Sequence, residues 1–259
     1  MNYKLNICHL YPDLMDTYGD MGNIITIQKR CAWRGIKTEI SKASIGQNLK
    51  SDEYDLFFFG GGQDNVQTAV AKDLKSKASL IKDSIEKGSV LLSICGGYQL
   101  LQKYFKTQTG EVIEGISLFD AYTVGSENRM IQNLLIETEE NLNEEIDKAY
   151  PSNNLPSNYL IGFENHSGKT YLGKAVKPLG SVVIGSGNNG EDSTEGAIYK
   201  NAFGCYLHGS LLPKNPHFAD FLICKALERK NQDVVLEPLD DSIEWLAHSK
   251  AVEKTRASS

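Results

Sequence analysis

The stretch that decides the fold of this chain is Ser89-Val-Leu-Leu-Ser-Ile-Cys-Gly-Gly-Tyr-Gln-Leu-Leu-Gln102. Its apolar run ends abruptly at Cys95, and a helical pattern follows at once. This order is typical of a nucleophile elbow, where a strand-to-helix turn presents one side chain to substrate beside the first helix amides. Gly96 and Gly97 permit the sharp turn. We therefore expect Cys95 to be a nucleophile, because a buried structural cysteine would not need two glycines after it.

Composition limits the classes of protein to consider. The chain has 259 residues, of which 41% are hydrophobic, and this is enough for a full α/β core. The net charge of -6 argues against nucleic acid as a main partner. We expect no signal peptide, no membrane span and no metal site. Five scattered cysteines without a CxxC pair suggest reduced thiols in a cytoplasm: Cys8, Cys31, Cys95, Cys205 and Cys224.

The first hundred residues alternate between strand and helix patterns. We predict strands at residues 4–9, 36–40 and 54–59, the last one short, continuous and aromatic. Helices are expected over 23–34, capped by Asp20 and stopped by Gly35, and over 66–87, stopped by Gly88. This alternation predicts an α/β fold with a doubly wound, mostly parallel sheet and flanking helices. Its site should lie at the carboxyl ends of the strands.

The second half of the chain carries short β-like pieces separated by Gly- and Asn-rich turns, followed by two helices. Residues 139–158 have a linker-like composition, and we predict an exposed excursion there. We expect the whole of 1–259 to form one domain, with a C-terminal helix and tail over 240–259. The β-like pieces cover 117–124, 132–137, 159–164, 181–184, 195–199 and 204–207, and the helices cover 216–230 and 241–254.

Two further segments place chemistry beside the cysteine. Phe59-Gly-Gly-Gly-Gln63 ends the aromatic strand, where backbone N–H groups can face a developing oxyanion, although a flexible turn is the alternative. A phosphate loop would need a following Gly-Lys-Ser/Thr, which is missing. Gln99 lies four residues after Cys95 and so on the same helix face, where its amide can read a small substrate or be solvated.

A base for the cysteine must come from one of five histidines. His208 follows the strand pattern of Gly204-Cys-Tyr-Leu and precedes a glycine, so it is expected near Cys95 at the end of a neighbouring strand. His166, in a predicted turn, is the main alternative. The other three are a residue at the end of the first strand and two on helices: His9, His217 and His248.

These segments together resemble class I (triad-type) glutamine amidotransferases, which have a flavodoxin-like fold. The resemblance rests on Cys95-Gly-Gly-Tyr-Gln99, Phe59-Gly-Gly-Gly and Tyr206-Leu-His208-Gly. The usual triad continues from histidine to glutamate as His-Pro-Glu, whereas this chain has His208-Gly-Ser210. That departure is similar to the cobyric acid synthase branch. Residues 10–24, Leu-Tyr-Pro-Asp-Leu-Met-Asp-Thr-Tyr-Gly-Asp-Met-Gly-Asn-Ile, resemble the GatD-type glutaminase subunits of lipid II isoglutaminyl synthases.

The GatD-type resemblance extends over about residues 3 to 230 and implies a heterodimer. This chain would hydrolyse L-glutamine, and a Mur-ligase-like synthetase subunit, using ATP and Mg²⁺, would activate the D-glutamate α-carboxyl of lipid II. Ammonia would then give D-isoglutamine in peptidoglycan. The resemblance implies a cytoplasmic chain, held at the inner face of the membrane through the complex, with no cofactor of its own. Alternatives are another acceptor such as a cobyrinic-type carboxylate, a small cysteine hydrolase, or a non-catalytic binding protein.

The resemblance also implies roles for particular residues. The glutamine carboxamide would lie at Cys95, with its oxyanion held by the amides of Gly62 and Gly96. Gly61 and Gln99 would contact substrate. Arg129, in a predicted turn, would bind the α-carboxylate, the alternative being a solvated loop arginine.

Without the usual glutamate, His208 needs another group to orient it. Glu164, Asp64 and a residue of the partner subunit are the candidates. We therefore expect the isolated chain to be a poor glutaminase.

Overall fold

The computed structural model describes residues 3–150 and 158–258, except for the side chains of residues 64 and 65. Its first sheet has the order β11-β12-β4-β3-β1-β2. All neighbouring strands in it are parallel except β11 and β12. The predicted mostly parallel sheet is therefore confirmed. The strands are β1 (Lys4–Leu10), β2 (Lys37–Ala43), β3 (Leu56–Phe59), β4 (Val90–Ile94), β11 (Ala197–Tyr199) and β12 (Ala202–Cys205).

Helices cover both faces of this sheet. Successive side chains of a strand point to opposite faces, and apolar side chains on both faces need to be covered. In β1, Leu5 and Ile7 pack into one apolar cluster, while Cys8 and Leu10 pack into the other. No helix in the described part of the chain is long and apolar enough to cross a membrane. The helices are α1 (Met21–Trp33), α2 (Asp64–Glu86), α3 (Gly96–Leu100), α4 (Glu140–Ala149), α5 (Pro216–Glu228) and α6 (Ser242–Ala257).

A second sheet, with the order β10-β9-β7-β5-β6, has β8 paired to β7. The long antiparallel pair β7–β8 dominates it, and its register shifts between Gly125 and Met130. The prediction of separate pieces at 117–124 and 132–137 was wrong, since β7 continues through the polar residues between them. The strands are β5 (Tyr104–Lys106), β6 (Val112–Glu114), β7 (Ala121–Thr138), β8 (Tyr159–Leu172), β9 (Gly180–Ile184) and β10 (Thr194–Glu195).

The predicted exposed excursion at 139–158 was also wrong for residues 140–149. It contains α4, which buries Leu142, Ile146 and Ala149 along one side and packs against α5. The spacing of these three residues places them on one helix face. Residues 151–157 of the predicted excursion lie outside the described residues.

A buried ion-pair cluster ties α1 to α5 and to the start of α6. Arg30 donates from Nε to Asp220 Oδ1 at 2.5 Å and from Nη1 to Asp241 Oδ1 at 2.7 Å. All three side chains are almost fully buried. Arg34 adds a second guanidinium against Asp220, and the Tyr150 hydroxyl donates to Asp241 at 2.6 Å. The two guanidinium groups and two carboxylates stabilise one another, because a buried carboxylate without a charged partner is costly in free energy.

Replacing Arg30 by Ala should therefore destabilise the protein by about 3–5 kcal/mol, since it leaves buried carboxylates without their main partner. Urea denaturation followed by circular dichroism measures the free energy of unfolding. Lys4→Ala is the matched control, because the Lys4–Glu39 pair is about half exposed on both sides and should contribute about 1 kcal/mol or less. Equal losses in the two variants would contradict the importance of the buried cluster.

Candidate active site

The turn after β4 holds Cys95 in a strained backbone conformation. Its φ of 48° and ψ of −107° are unusual for a residue other than glycine. Two hydrogen bonds fix the turn: the Cys95 N–H donates to Cys205 O, and the Gln99 N–H donates to Cys95 O, each at 2.8 Å. The side chain is half-buried at the start of α3, as a nucleophile elbow requires.

The backbone after Cys95 lies against the glycine loop that follows β3. A Cβ at Gly97 would lie 2.5 Å from Phe59 O, and a Cβ at Gly96 would lie 2.9 Å from Gly62 N. Larger residues would push the two loops apart, so this approach explains the two glycines after Cys95. It also brings the backbone of Gly62 and Gly96 together beside the thiol. Among the described residues, nothing accepts a hydrogen bond from Gly62 N–H.

His208 lies just beyond β12, the neighbour of β4 in the sheet. Its backbone pairs with Phe163 of β8 through two hydrogen bonds, which fix the position of the ring. The ring is fully buried, with Nδ1 3.3 Å from Asp20 Oδ1 and the edge of Tyr18 against it. Nε2 has no hydrogen-bond partner within the described chain.

Electrostatics favour the imidazolium form of His208. Burial alone lowers its pKa, but the charge of Cys95, the hydrogen bond to Asp20 and further interactions with both groups outweigh burial. The net result is a pKa of about 10. A protonated His208 beside Cys95 stabilises the thiolate that a nucleophile needs.

Asp20 is a site residue that the sequence reading did not find. It was predicted to cap α1, but its side chain makes no capping bond; instead, Asp16 Oδ1 accepts a hydrogen bond from Met21 N–H at 2.6 Å. The Asp20 carboxylate is fully buried and turned toward the site. The sequence signal that could have identified Asp20 was its place in residues 10–24, a segment that carried a family resemblance but no assigned chemistry.

Only two histidines of the described chain line the cavity at Cys95, and they differ in their surroundings. The His166 ring stacks on the Tyr206 ring, with the two centroids 3.6 Å apart. Its Nδ1 is hydrogen-bonded to Gly168 O, and the two contacts fix the orientation of the ring. It lies in β8 rather than in the predicted turn. His9 is buried against Phe58, and burial followed by the charge of Lys42 lowers its pKa to about 4.

Gln99 also lines the cavity, although its amide is already engaged by the protein. Its Oε1 accepts from Gln67 Nε2 at 3.2 Å, and its Nε2 donates to the Tyr206 hydroxyl at 3.1 Å. Gln67 was missed by the sequence reading because it lies in an ordinary amphipathic helix. Its side chain lines the cavity, and its Oε1 is buried without a hydrogen-bond partner in the described residues.

Arg129 reaches the same cavity from the second sheet. It lies within β7, at the register shift, rather than in the predicted turn between two strands. Its Nε donates to Asn165 Oδ1 at 2.6 Å, and Nη2 donates to the Tyr18 hydroxyl at 3.3 Å. The guanidinium is thus held at the rim with its charge exposed to the cavity.

Two other predicted residues, Glu164 and Gly61, do not have their expected surroundings. Glu164 contacts His166 and accepts hydrogen bonds from Gln132 and from the amides of residues 186 and 187, so it is not bonded to His208. The side chain of Asp64 lies outside the described residues. Gly61 directs both backbone groups to residues 16–22, which we call the N-terminal loop. Its N–H donates to Asp20 and its carbonyl oxygen accepts from Thr17 N–H, so both groups are already engaged.

The resulting cavity has a volume of about 350 Å³, which suits a small polar ligand. It combines a cysteine on a strained turn, a buried imidazole, the backbone of Gly62 close to that of Gly96, and a guanidinium at the rim. These groups can perform nucleophilic attack on a carbonyl, stabilise the oxyanion and bind a carboxylate.

Comparisons with known proteins agree with this chemistry. A model of the CobB/CobQ-like glutamine amidotransferase domain matches residues 6–216. The chain is 41% identical over 241 residues to a Streptococcus pneumoniae protein named lipid II isoglutaminyl synthase (glutamine-hydrolyzing) subunit GatD, covering 92% of this chain and 87% of that protein. A protein of the same name from Staphylococcus aureus is 36% identical over 252 residues, covering 97% and 96%.

More distant similarities are consistent with the same family. A cobyric acid synthase from Listeria monocytogenes is 27% identical over 206 residues, which cover 77% of this chain but 37% of that protein. A crystal structure of a glutamine amidotransferase superposes with a TM-score of 0.53 at 13% identity, covering 85% of this chain and 98% of the other. The latter similarity concerns the fold alone.

An experiment without substrate can distinguish the roles of the two cavity histidines, His166 and His208. His208→Ala should slow alkylation of Cys95 by iodoacetamide about tenfold at pH 7, because the thiolate loses the imidazolium that stabilises it. Peptide mapping by mass spectrometry measures the rate at Cys95. His166→Ala is the control and should leave the rate within about twofold of wild type. The reverse ranking would mean that His166 is the imidazole paired with the thiol.

Proposed function

Because the chain belongs to the CobB/CobQ-like glutamine amidotransferase family, we propose that it is the glutaminase subunit of a lipid II isoglutaminyl synthase. The observation that carries the proposal is the cavity at Cys95, where the thiol, the Gly62 and Gly96 backbone and the buried His208 meet. These are the groups that acyl transfer from an amide requires.

The first half of the reaction forms a thioester. The Cys95 thiolate attacks the side-chain carbonyl carbon of glutamine, so that a C–S bond forms and the carbonyl oxygen becomes an oxyanion. The N–H groups of Gly62 and Gly96 stabilise that oxyanion. His208 then gives its proton to the departing nitrogen, the C–N bond breaks, and ammonia leaves behind a γ-glutamyl thioester.

The second half regenerates the enzyme. His208, now neutral, takes a proton from water, and the hydroxide attacks the thioester carbonyl at the same oxyanion site. The C–S bond breaks, glutamate leaves, and the thiolate–imidazolium pair is restored. One imidazole therefore serves as acid and then as base, which suits a ring whose two protonation states are both used at neutral pH.

Substrate binding uses groups from both sheets. Arg129, held by Asn165 and Tyr18 at the rim, binds the α-carboxylate of glutamine through two parallel N–H donors. Gln99 lines the cavity and supports Gln67 through their shared hydrogen bond.

The names of the relatives support the proposed acceptor. Two proteins named as GatD subunits match nearly their full length, whereas the cobyric acid synthase is matched over 37% of its length. This difference favours a separate synthetase subunit, Mur-ligase-like, that binds ATP and Mg²⁺ and activates the D-glutamate α-carboxyl of lipid II. In our proposal the pair acts at the cytoplasmic face of the membrane.

Replacing Cys95 by Ala should abolish glutamine-dependent amidation of lipid II while leaving ammonia-dependent amidation intact, because only the source of ammonia is lost. Purified complex with the synthetase subunit, supplied with ATP and lipid II, is assayed for isoglutamine by mass spectrometry. Ser249→Ala, on α6 and away from the cavity, is the control. Persistent glutamine-dependent product would rule out Cys95 as the nucleophile. Failure with ammonia in the wild-type complex would rule out lipid II as the acceptor.

Arg129→Ala should raise the KM for glutamine about ten- to a hundredfold with little change in kcat, since a charge-assisted contact contributes about 1.5–3 kcal/mol. Ammonia release is measured for L-glutamine and for 4-aminobutanamide, which lacks the α-carboxylate. Wild-type enzyme should strongly prefer glutamine, and the variant should lose most of that preference. Arg129→Lys keeps the charge but not the paired donors and should lie between them. An unchanged preference would make Arg129 a solvated rim residue.

A further inference from the structure

Gln67, near the start of α2, places its side-chain amide between the two backbone segments that meet at Cys95. Its Nε2 donates to Gly62 O at 3.1 Å. A Cβ at Gly96 would lie 2.9 Å from that Nε2 and 2.9 Å from Gly62 N, so the amide lies where the glycine loop and the nucleophile turn touch. Gln67 is almost fully buried, so its Nε2 bonds to the protein and not to bulk water.

Gly62 is thereby held through both of its neighbouring peptide units. Thr17 N–H donates to Gly61 O at 3.1 Å. Because the C=O and N–H of one trans peptide point in opposite directions, the N–H of Gly62 points away from the N-terminal loop. Gln67 fixes the next peptide unit through Gly62 O. Glycine has more conformational freedom than any other residue, so these bonds are what keeps the Gly62 amide in one orientation.

The Gln67 amide is itself held by a chain of buried hydrogen bonds that ends in the second sheet. Gln67 Nε2 donates to Gln99 Oε1 at 3.2 Å, and Gln99 Nε2 donates to the Tyr206 hydroxyl at 3.1 Å. The hydroxyl oxygens of Tyr206 and Thr170 are 2.7 Å apart, and those of Thr170 and Thr123 are 2.6 Å apart. The glycine loop is therefore connected to β7 and β8 through side chains alone.

The chemistry of the far end fixes the direction of every bond in this chain. Thr123 Oγ1 donates to Gln102 Oε1 at 2.7 Å, because a carbonyl oxygen can only accept. A hydroxyl has one proton, so Thr123 accepts from Thr170, and Thr170 accepts from Tyr206. All the donors therefore point the same way, from Gln67 toward Thr123, and aligned hydrogen bonds polarise and strengthen one another.

Resting on the proposed glutaminase function, we propose that Gln67 is a positioning residue for the oxyanion. Its amide orients Gly62, and the hydrogen-bond chain from the second sheet keeps the amide in that position. An amide suits this place because its NH₂ group has two protons, one for Gly62 O and one for Gln99 Oε1. A carboxylate would donate to neither oxygen and would add negative charge beside the developing oxyanion.

Gln67→Met tests the proposal, because methionine has a similar length and volume but donates no hydrogen bond. The kcat for ammonia release from glutamine, measured in the complex with the synthetase subunit, should fall about ten- to a hundredfold. This loss is smaller than the roughly 10²- to 10³-fold cost of removing an oxyanion donor, because the Gly62 amide remains but is less well oriented. The KM for glutamine should stay within about threefold.

Two reagents for Cys95 separate the oxyanion from the thiolate without any glutamine. Attack on the carbonyl of 4-nitrophenyl acetate forms a tetrahedral oxyanion and expels 4-nitrophenolate, whereas attack on iodoacetamide displaces iodide and forms no oxyanion. Gln67→Met should therefore slow acetylation of Cys95 about tenfold and leave its alkylation within about twofold of wild type. Peptide mapping by mass spectrometry measures both rates. A loss of folding or of thiolate would slow both reactions together.

Gln28→Met is the matched control, since it makes the same change on α1, at a residue that does not line the cavity. It should keep the wild-type kcat and both reaction rates. Tyr206→Phe removes one hydroxyl from the middle of the chain and keeps the ring that stacks on His166. It should slow acetylation about three- to tenfold and leave alkylation unchanged. If Gln67→Met does not fold, by circular dichroism, Tyr206→Phe decides.

Three results for Gln67→Met would overturn the role of Gln67. They are an acetylation rate like that of wild type, equal slowing of acetylation and alkylation, and a raised KM with unchanged kcat, which would make Gln67 a substrate contact. Wild-type acetylation in Tyr206→Phe would overturn the role of the chain. The proposed glutaminase function fails by a different result, namely wild-type protein that releases no ammonia from glutamine, alone or with its synthetase partner. The two rates at Cys95 then still decide whether Gln67 orients the oxyanion site.

Discussion

The whole site depends on the close approach of two backbone segments, the turn at Cys95 and the glycine loop after β3. Carbonyl oxygens of the loop lie where the Cβ atoms of larger residues would be, so glycine is required on the nucleophile side. The left-handed backbone conformation of Cys95 is strained, and the surrounding hydrogen bonds hold Cys95 in that conformation. Because β3, β4 and β12 are neighbours, the three strand ends deliver the amides, the thiol and the imidazole to one point.

The parts of this arrangement that were predictable from the sequence are those that follow buried parallel strands. Cys95 and His208 each come directly after a short apolar run, and parallel strands bring such residues to one edge of a sheet. The glycines were informative for the same reason, since their spacing reports a close backbone contact. The first sheet therefore followed from local pattern alone.

What could not be predicted depends on contacts distant in sequence. The continuity of β7 comes from pairing with β8, which overrides the polar residues in its middle. The burial of α4 comes from its packing on α5, although its composition resembles a linker. Asp20 has the residue type and position of a helix cap, and only the approach of His208 and Gly61 gives its carboxylate another partner.

The two sheets contribute different parts of the site, and this difference bears on what a synthetase partner must do. The first sheet and the N-terminal loop hold the Cys95 thiol, the His208 imidazole, the Gly62 and Gly96 backbone and the Asp20 carboxylate. The second sheet provides Arg129 and Asn165, and Arg129 donates to the hydroxyl of Tyr18, an exposed residue of that loop. In the proposed complex, a partner that docks at this rim would act on the position of Arg129 and Tyr18, and so on glutamine binding as well as on the chemical step.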